Sequence, residues 1–469
     1  MFGYLFLRLK ISSGLSRQIL NRIIIRNVAY IDTKAKVRGL GKKRDSEDSD
    51  KTPESSESNP EATEIGSDNA GAHRIQYTPS FEELSKEKAL QYITEMTRIR
   101  KLEQQAQQVY LQRKIRGFCH LYIGEEACAV GVKASMRPDD TIITSYRCHA
   151  WALLMGESNE NVLGELMGKT VGSSRGKGGS MHIYGKNFFG GNGIVGAHVP
   201  LGSGIGLAHK YRDKGAVSYT IFGDGATDQG QTFESYNMAL LWNLPVVYIV
   251  ENNRYSMGTA IKRHSANTNY YTRGDLIPGI KVNGMDLESV LDAAKFASEY
   301  VRKEKKPMLI QLDTYRYRGH SMSDPGTSYR TKEEVKKVMD EQDCIKNFTK
   351  KMIDKQLVTQ EEIKAIDDKI KKDVKECLDK CEKAPEPGID ETYKDVYLLY
   401  NSKVRMPGMF MLMDHQNVSH LVSKGASEAK PAGAKDKVVA KDKAGKEEKK
   451  PEPAKKEENV GKEKTKKIK

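Results

Sequence analysis

Two apolar runs, each ending in polar residues able to do chemistry, predict an α/β chain: an open parallel sheet with helices on both faces. The first run, Tyr219–Phe222, ends in Gly223-Asp224-Gly225. The second, Val246–Val250, ends in Glu251-Asn252-Asn253-Arg254-Tyr255. The amphipathic segment between them reads as a helix, so the stretch is strand, helix, strand. Such a crossover makes the strands parallel and opens both carboxyl ends on one edge. Asp224 and Asn253 each stand just past a strand end, at the crevice where open α/β sheets bind ligands. A carboxylate, an amide oxygen and a nearby backbone carbonyl are hard oxygen donors, the set that suits Mg²⁺ holding a phosphorylated ligand. Gly-Asp-Gly alone is ordinary loop chemistry; its pairing with Asn252-Asn253 makes it a candidate site.

Both ends of the chain lie outside this sheet. Residues 1–31 carry Arg8, Lys10, Arg17, Arg22 and Arg26 among Leu, Ile and Ser, with no acidic residue, the composition of a mitochondrial presequence. An acidic, Ser-rich linker follows over 32–74, too poor in apolar residues to order itself. The folded domain is expected over 75–421, and a Lys-rich tail over 422–469. From Lys424 onward there are 16 Lys against 9 acidic residues. Of the net charge of +14, the tail carries +7 and the presequence +5, leaving +2 between them. The high pI therefore says little about the partners of the folded part. The tail reads as a solvated disordered extension, without the aromatic residues that a single-strand binder interleaves with its lysines. No apolar run is long enough to span a membrane. Cys119, Cys128, Cys148, Cys344, Cys377 and Cys381 make no metal or redox spacing and read as free thiols.

Within the domain, Ser80 and Glu83 are expected to form a capping box ahead of one long amphipathic helix, from Leu84 through Val109 to about Arg116. His120 follows in Phe118–Tyr122 and, taken alone, reads as structural. Thr141–Thr144 is a strand ending in Ser145-Tyr146-Arg147, where the Arg either pairs with a diphosphate or makes a surface ion pair. Residues 164–196 are Gly-rich. They contain no P-loop, and either lie against a flat ligand or form a surface loop; Gly202-x-Gly204-x-Gly206, just beyond, is not a dinucleotide fingerprint. Met308–Asp313 is a further strand. The Arg- and hydroxyl-rich loop Tyr315–Arg330 has the character of a mobile active-site loop, and helices are expected over 332–355 and 359–383.

Six segments carry a resemblance to a known family: RGFCHLYIGEEACAVG, ITSYRCHAW, GKGGSMHIYGKNFFGGNGIVGAHVPLG, GDGATDQGQTFESYNMALLW, ENNRYSMGT and TYRYRGHSMSDPGTSYR. Over about Tyr77 to Arg405 the chain resembles the alpha subunits of mitochondrial pyruvate dehydrogenase. The branched-chain 2-oxoacid dehydrogenase alpha subunits share the spacing but not the segments around the Gly-rich and His-Ser loops, and a non-catalytic scaffold paralogue is a third reading.

The resemblance implies a thiamine-diphosphate-binding fold, with this chain supplying the half that grips the diphosphate. Asp224, Asn253 and the Tyr255 carbonyl would hold Mg²⁺. Tyr146, Arg147, Gly185, Gly193, Val195, Gly225, Ala226 and His320 would surround thiamine diphosphate. His120 and His320 would act as hydrogen-bond donors or proton relays toward pyruvate and the lipoyl group, and Ser321 and Ser328 would be phosphorylation sites. The implied activity is decarboxylation of pyruvate with transfer of the acetyl group to lipoyl domains of dihydrolipoyl acetyltransferase, in the mitochondrial matrix. Implied partners are a beta subunit in an α2β2 assembly, a kinase and a phosphatase; no nucleic acid is expected. The vertebrate pattern has a third regulatory serine where this chain has Ala260, so control through that position is expected to be absent. No pyrimidine-activating Glu is assignable in this chain, so that carboxylate should come from the beta subunit.

Overall fold

The computed structural model describes residues 70–392, Lys394 and the short segments 403–405 and 412–414. The presequence and tail, most of the linker and the end of the domain expected near 421 lie outside the described residues. The strands of the main sheet are β1 (Gly71–His73), β2 (Thr141–Ser145), β3 (Phe188–Asn192), β4 (Ser218–Gly223) and β5 (Val246–Asn252). A two-residue hairpin, β6 (Tyr255–Ser256) and β7 (Thr259–Ala260), precedes the last two, β8 (Gly279–Asn283) and β9 (Met308–Asp313). The main sheet runs β1-β8-β9-β5-β4-β2-β3. Every neighbouring pair is parallel except the edge pair β1–β8, so the expected parallel sheet is present. Ahead of the boundary expected at residue 75, Gly71–His73 pairs with Gly279–Lys281.

Both faces are covered. On β5, Val247 and Ile249 join one apolar cluster while Val246, Tyr248 and Val250 join another, the alternation a strand imposes when each face has its own layer. The helices are α1 (Lys86–Leu111), α2 (Glu126–Ala134), α3 (His149–Leu154), α4 (Asn159–Leu166), α5 (His198–Arg212), α6 (Gly230–Leu241), α7 (Ile261–His264), α8 (Leu287–Glu304), α9 (Lys332–Glu341), α10 (Cys344–Asp354) and α11 (Gln360–Lys383). Helix α2 packs on α8, and α5 lies on β4 beside α6. The α5 contact explains Gly202 and Gly206, which are no dinucleotide motif. A Cβ on Gly202 would come within 1.9 Å of Thr220 Oγ1 on β4, and one on Gly206 within 2.4 Å of Val246 Cγ2 on β5. One glycine-lined helix face thus allows close helix–sheet contact.

Two helix boundaries differ from expectation. The first long helix starts at Lys86, capped by Ser85, whose hydroxyl accepts from the Lys88 amide at 3.4 Å. The capping box at Ser80 and Glu83 does not form, because this stretch is drawn to α8: Tyr77 donates to Asp292 at 2.6 Å and Glu82 pairs with Lys295. The helix also ends at Leu111, short of Arg116. The helix expected over 332–355 is two, because Asp343 caps a fresh start, accepting from the Ile345 and Lys346 amides at 3.1 and 3.0 Å. Arg100 of α1 holds that carboxylate at 2.9 Å.

Candidate functional site

Chain direction across the sheet reverses between β2, which leads outward to β3, and β4, which leads the other way to β5. The carboxyl ends at such a switch point leave a crevice, and here a cavity of about 340 Å³ opens. In the β4–β5 register Gly223 faces Glu251, so Asp224 and Asn253 leave adjacent strands within two residues of the same level, about 5 Å apart laterally. His120, Tyr146, Arg147, Gly193, Val195, Asp224, Gly225, Ala226, Asn253, Tyr255 and His320 all line this one cavity. Gly185 is not among the lining residues; it bridges to Phe188 beside the Gly-rich loop. Ser321 and Ser328 sit on the neighbouring loop.

Local backbone aims the oxygen donors. Arg254 takes a left-handed φ of 72°, a turn that costs a non-glycine residue roughly 1–3 kcal/mol and recurs at functional sites. It lets the Asn253 side-chain oxygen and the Tyr255 carbonyl face one point, for both accept from Arg316 Nη1, at 2.9 and 2.7 Å. Asp224 opens a short 3-10 turn whose Thr227 hydroxyl donates to the Asp224 carbonyl at 2.5 Å. Gly225 is required there: a Cβ would fall 2.1 Å from Ser256 Oγ. Asp224 Oδ2 is buried without a hydrogen-bond partner. His264 Nε2 stands 3.5 Å away, and its partner Asp228 is 2.7 Å from Nδ1. Pairing with Asp224 first, and with Asp228, raises the His264 pKa.

This donor set fits a divalent cation carrying an anionic ligand. The buried Asp224 oxygen, which makes no hydrogen bond, and two converging neutral oxygens are hard donors. Arg316 is buried, and its guanidinium bonds go to neutral oxygens: Asn253, Tyr255, Met257 and the Tyr329 hydroxyl. A bound anion would compensate a buried cation so placed.

The remaining wall is aromatic and cationic. His120 and Tyr146 have ring centroids 4.5 Å apart, and His120 and His320 5.1 Å. Burial first, then the Arg147 guanidinium, lowers His120 to about 2 and His320 to about 3. Both rings are therefore neutral at physiological pH, and His120 Nδ1 is buried with no partner. Arg147 donates to the Leu121 and His320 carbonyls and pairs through Nε with Glu125 at 3.4 Å. Glu125 and Glu251 form a buried acidic pair. Burial raises the Glu125 pKa against the downward pull of Arg147, the Asn253 amide and Arg316, while burial, then Glu125, raises that of Glu251. Arg147 and the Asn253 amide favour the charge on Glu125, leaving the proton to Glu251, which also accepts from the Tyr122 hydroxyl.

Sequence reasoning missed Glu125, Glu251, His264 and Arg316 as participants, and His198, which also lines the cavity. Glu125 and Glu251 were detectable as acidic residues inside apolar segments. Arg316 was noted only as part of an Arg-rich loop. That loop, expected to be mobile, is held by Asp324, which accepts from the His320 amide at 2.6 Å, the Gly326 amide at 2.8 Å and the Tyr329 hydroxyl at 2.6 Å.

A parallel switch-point cavity with Asp and Asn at adjacent strand ends defines a class of cofactor-dependent enzyme, and residues 94–390 match the family model described as dehydrogenase E1 component. The chain belongs to this thiamine-diphosphate-dependent dehydrogenase family. Its relatives carry the reading to pyruvate dehydrogenase, alpha subunit. It is 51% identical over 331 residues to pyruvate dehydrogenase E1 component subunit alpha type I, mitochondrial, of Ascaris suum, spanning 70% of this chain and 83% of the relative. The probable pyruvate dehydrogenase E1 component subunit alpha, mitochondrial, of Caenorhabditis elegans is 54% identical over 295 residues, 63% and 74% of the two chains. The somatic human form, also named mitochondrial, is 49% identical over 326 residues, 69% and 84%. All six cysteines are free, as expected. Among the described residues no helix is long and apolar enough to cross a membrane.

Proposed function

We propose that this chain is the diphosphate-gripping half of a pyruvate dehydrogenase of the mitochondrial matrix, assembled with a beta subunit as α2β2. The observation that carries the site assignment is the convergence of Asn253 Oδ1 and the Tyr255 carbonyl, both now bonded to Arg316 Nη1, in the cavity that also holds Asp224, whose buried Oδ2 makes no hydrogen bond and stands 3.5 Å from His264 Nε2. Asp224, Asn253 and the Tyr255 carbonyl would hold Mg²⁺. Arg316 and Arg147 would compensate the diphosphate, and Tyr146, Gly193, Val195, Gly225 and Ala226 would shape its surroundings. Thiamine diphosphate supplies, when bound, the electron sink for decarboxylating a 2-oxo acid.

The chain's own residues supply orientation and a low-dielectric wall. His120 and His320, held neutral, can donate from one ring nitrogen while accepting at the other. That suits them to orient the substrate carboxylate, and suits His120 to pass a proton by taking one at one ring nitrogen as the other releases its own, which leaves no charge in the pocket. Phe118 is 60% exposed with its ring 6.0 Å from His120, an apolar lip at the entrance where a lipoyl arm would arrive. Ser321 and Ser328 would take phosphate from a dedicated kinase and lose it to a phosphatase.

The test is co-expression with a beta subunit and measurement of carbon dioxide release from pyruvate and from a branched 2-oxo acid, with Mg²⁺ and thiamine diphosphate each omitted in turn. Release from pyruvate that needs both, and that is absent without the beta chain, is expected. Robust activity of this chain alone, or preference for the branched acid, overturns the assignment.

A further inference from the structure

An asparagine that ligates a metal must present its oxygen, because its amide nitrogen carries two hydrogens and no free lone pair for the ion. Nothing in the asparagine itself makes that choice, since the two ends of the amide have nearly the same shape. In this protein the neighbours make it. Asn253 Nδ2 donates to Glu125 Oε1 at 2.9 Å, while Asn253 Oδ1 accepts from Arg316 Nη1 at 2.9 Å. Glu125 Oε1 is the acceptor in this bond, and a guanidinium only donates. Turning the amide over would set N–H against N–H and oxygen against oxygen, losing both bonds in a buried site where unmade hydrogen bonds to charged groups are costly.

We propose that Glu125 is a positioning residue, which fixes the Asn253 amide with its oxygen toward the Mg²⁺ site. The inference rests on the reading of that site given above. Glu125 is fully buried at the start of α2 and is not among the residues lining the cavity; it acts through Asn253 and ligates nothing. Its other oxygen is 3.4 Å from Arg147 Nε, so the carboxylate is braced from the β2 end while it holds the β5 end. The bracing ties the two strand ends of the crevice together through one side chain. Partners that orient a metal ligand are generally worth 10–100-fold in metal affinity.

The experiment uses the assembled α2β2 enzyme with saturating thiamine diphosphate, Mn²⁺ as the paramagnetic stand-in for Mg²⁺, and the free-Mn²⁺ spin-resonance signal as the readout. Glu125→Met, similar in volume, removes the acceptor and is expected to weaken Mn²⁺ binding by about 10–100-fold. Glu125→Ala serves as a second truncation if the longer side chain prevents assembly. Glu125→Gln, which retains an oxygen for the Nδ2–H, is expected to stay close to wild type; a loss as large as that of Glu125→Met overturns the proposal in favour of a bulk charge effect. Asn253→Asp presents oxygen whichever way it turns, so in that background Glu125→Met should no longer weaken binding. A loss there as large as in the wild-type background, or wild-type affinity in the Glu125→Met single variant, also overturns it. Asp224→Ala separates the two levels. It should abolish binding, and if it does not, the Mg²⁺ reading falls and the positioning role with it.

Discussion

Arg316 and Asn253 are joined by a hydrogen bond of 2.9 Å from Nη1 to Oδ1, and the same nitrogen reaches the Tyr255 carbonyl at 2.7 Å. Nη2 meanwhile bonds the Tyr329 hydroxyl at 3.0 Å, so one planar group ties the Asn253 and Tyr255 oxygens to the loop that carries His320. Lysine offers a single flexible point charge in place of that fork. Arg316→Lys is therefore expected to lose bonds each worth roughly 1.5–3 kcal/mol, lowering kcat/KM for pyruvate by roughly 10- to 100-fold. Steady-state rates of the assembled enzyme check this; a variant within a factor of two of wild type would refute the role given to the fork.

The two neutral histidines give the folded state a defined acid sensitivity. Burial, then Arg147, depresses His120 to about 2 and His320 to about 3, against about 6.5 for an unperturbed histidine. Below about pH 6.5 the unfolded chain binds protons that the folded rings refuse, so stability falls as pH drops from there toward the folded values. Above 6.5 neither ring contributes any pH dependence. The variant with both His120→Asn and His320→Asn should consequently lose less melting temperature between pH 7 and pH 5 than wild type. Thermal unfolding of the assembly across that range measures it, and parallel curves would show that the rings are not held neutral.

Glu251 works in the opposite direction. Burial first, then Glu125, pushes its carboxyl up to about 8, so between the unfolded value near 4.3 and about 8 the folded state holds a proton that the unfolded state has released. Stability from this group is complete below the unfolded pKa and is lost as pH rises through the folded one. Glu251→Gln mimics the protonated form without titrating. It is expected to flatten the decline of melting temperature between pH 6 and pH 9 relative to wild type. A variant that declines just as steeply would place the proton elsewhere.

Legibility in the sequence followed the reach of each interaction. Strands β4, β5 and β9 were visible because their apolar runs are self-contained, and the ends of β4 and β5 were visible because Asp224 and Asn253 follow directly. β1 was not: Gly71–His73 has three residues, little β propensity, and is a strand only through pairing with β8. The break at Asp343 depends on Arg100, far away in α1. Glu125 and Arg316 gain their roles only where the fold brings them to opposite ends of the Asn253 amide. Motif reading found the ligating residues, and passed over Glu251 and Arg316, which line the cavity, and Glu125, which stands behind it.

The two candidate phosphorylation sites differ in accessibility, and that difference ranks them. Ser321 is buried, with its hydroxyl 2.6 Å from Ser323 Oγ, whereas Ser328 is exposed. Against the upward pull of burial, hydrogen bonds from Tyr329 and from the His320 and Gly326 amides hold the nearby Asp324 carboxyl low. The loop closure thus already contains one negative charge. A second one on Ser321 repels Asp324 and cannot remain buried without a partner, so the loop must open and take His320 out of the cavity wall. Ser321→Glu is expected to reduce transfer from pyruvate to a lipoylated acceptor by at least about tenfold, since the charge is worth more than ~1.4 kcal/mol, and to expose residues 318–330 to protease. Ser328→Glu, already solvated, should change both far less. Equal activity and equal protease resistance in the two variants would mean that charge at Ser321 does not open the loop.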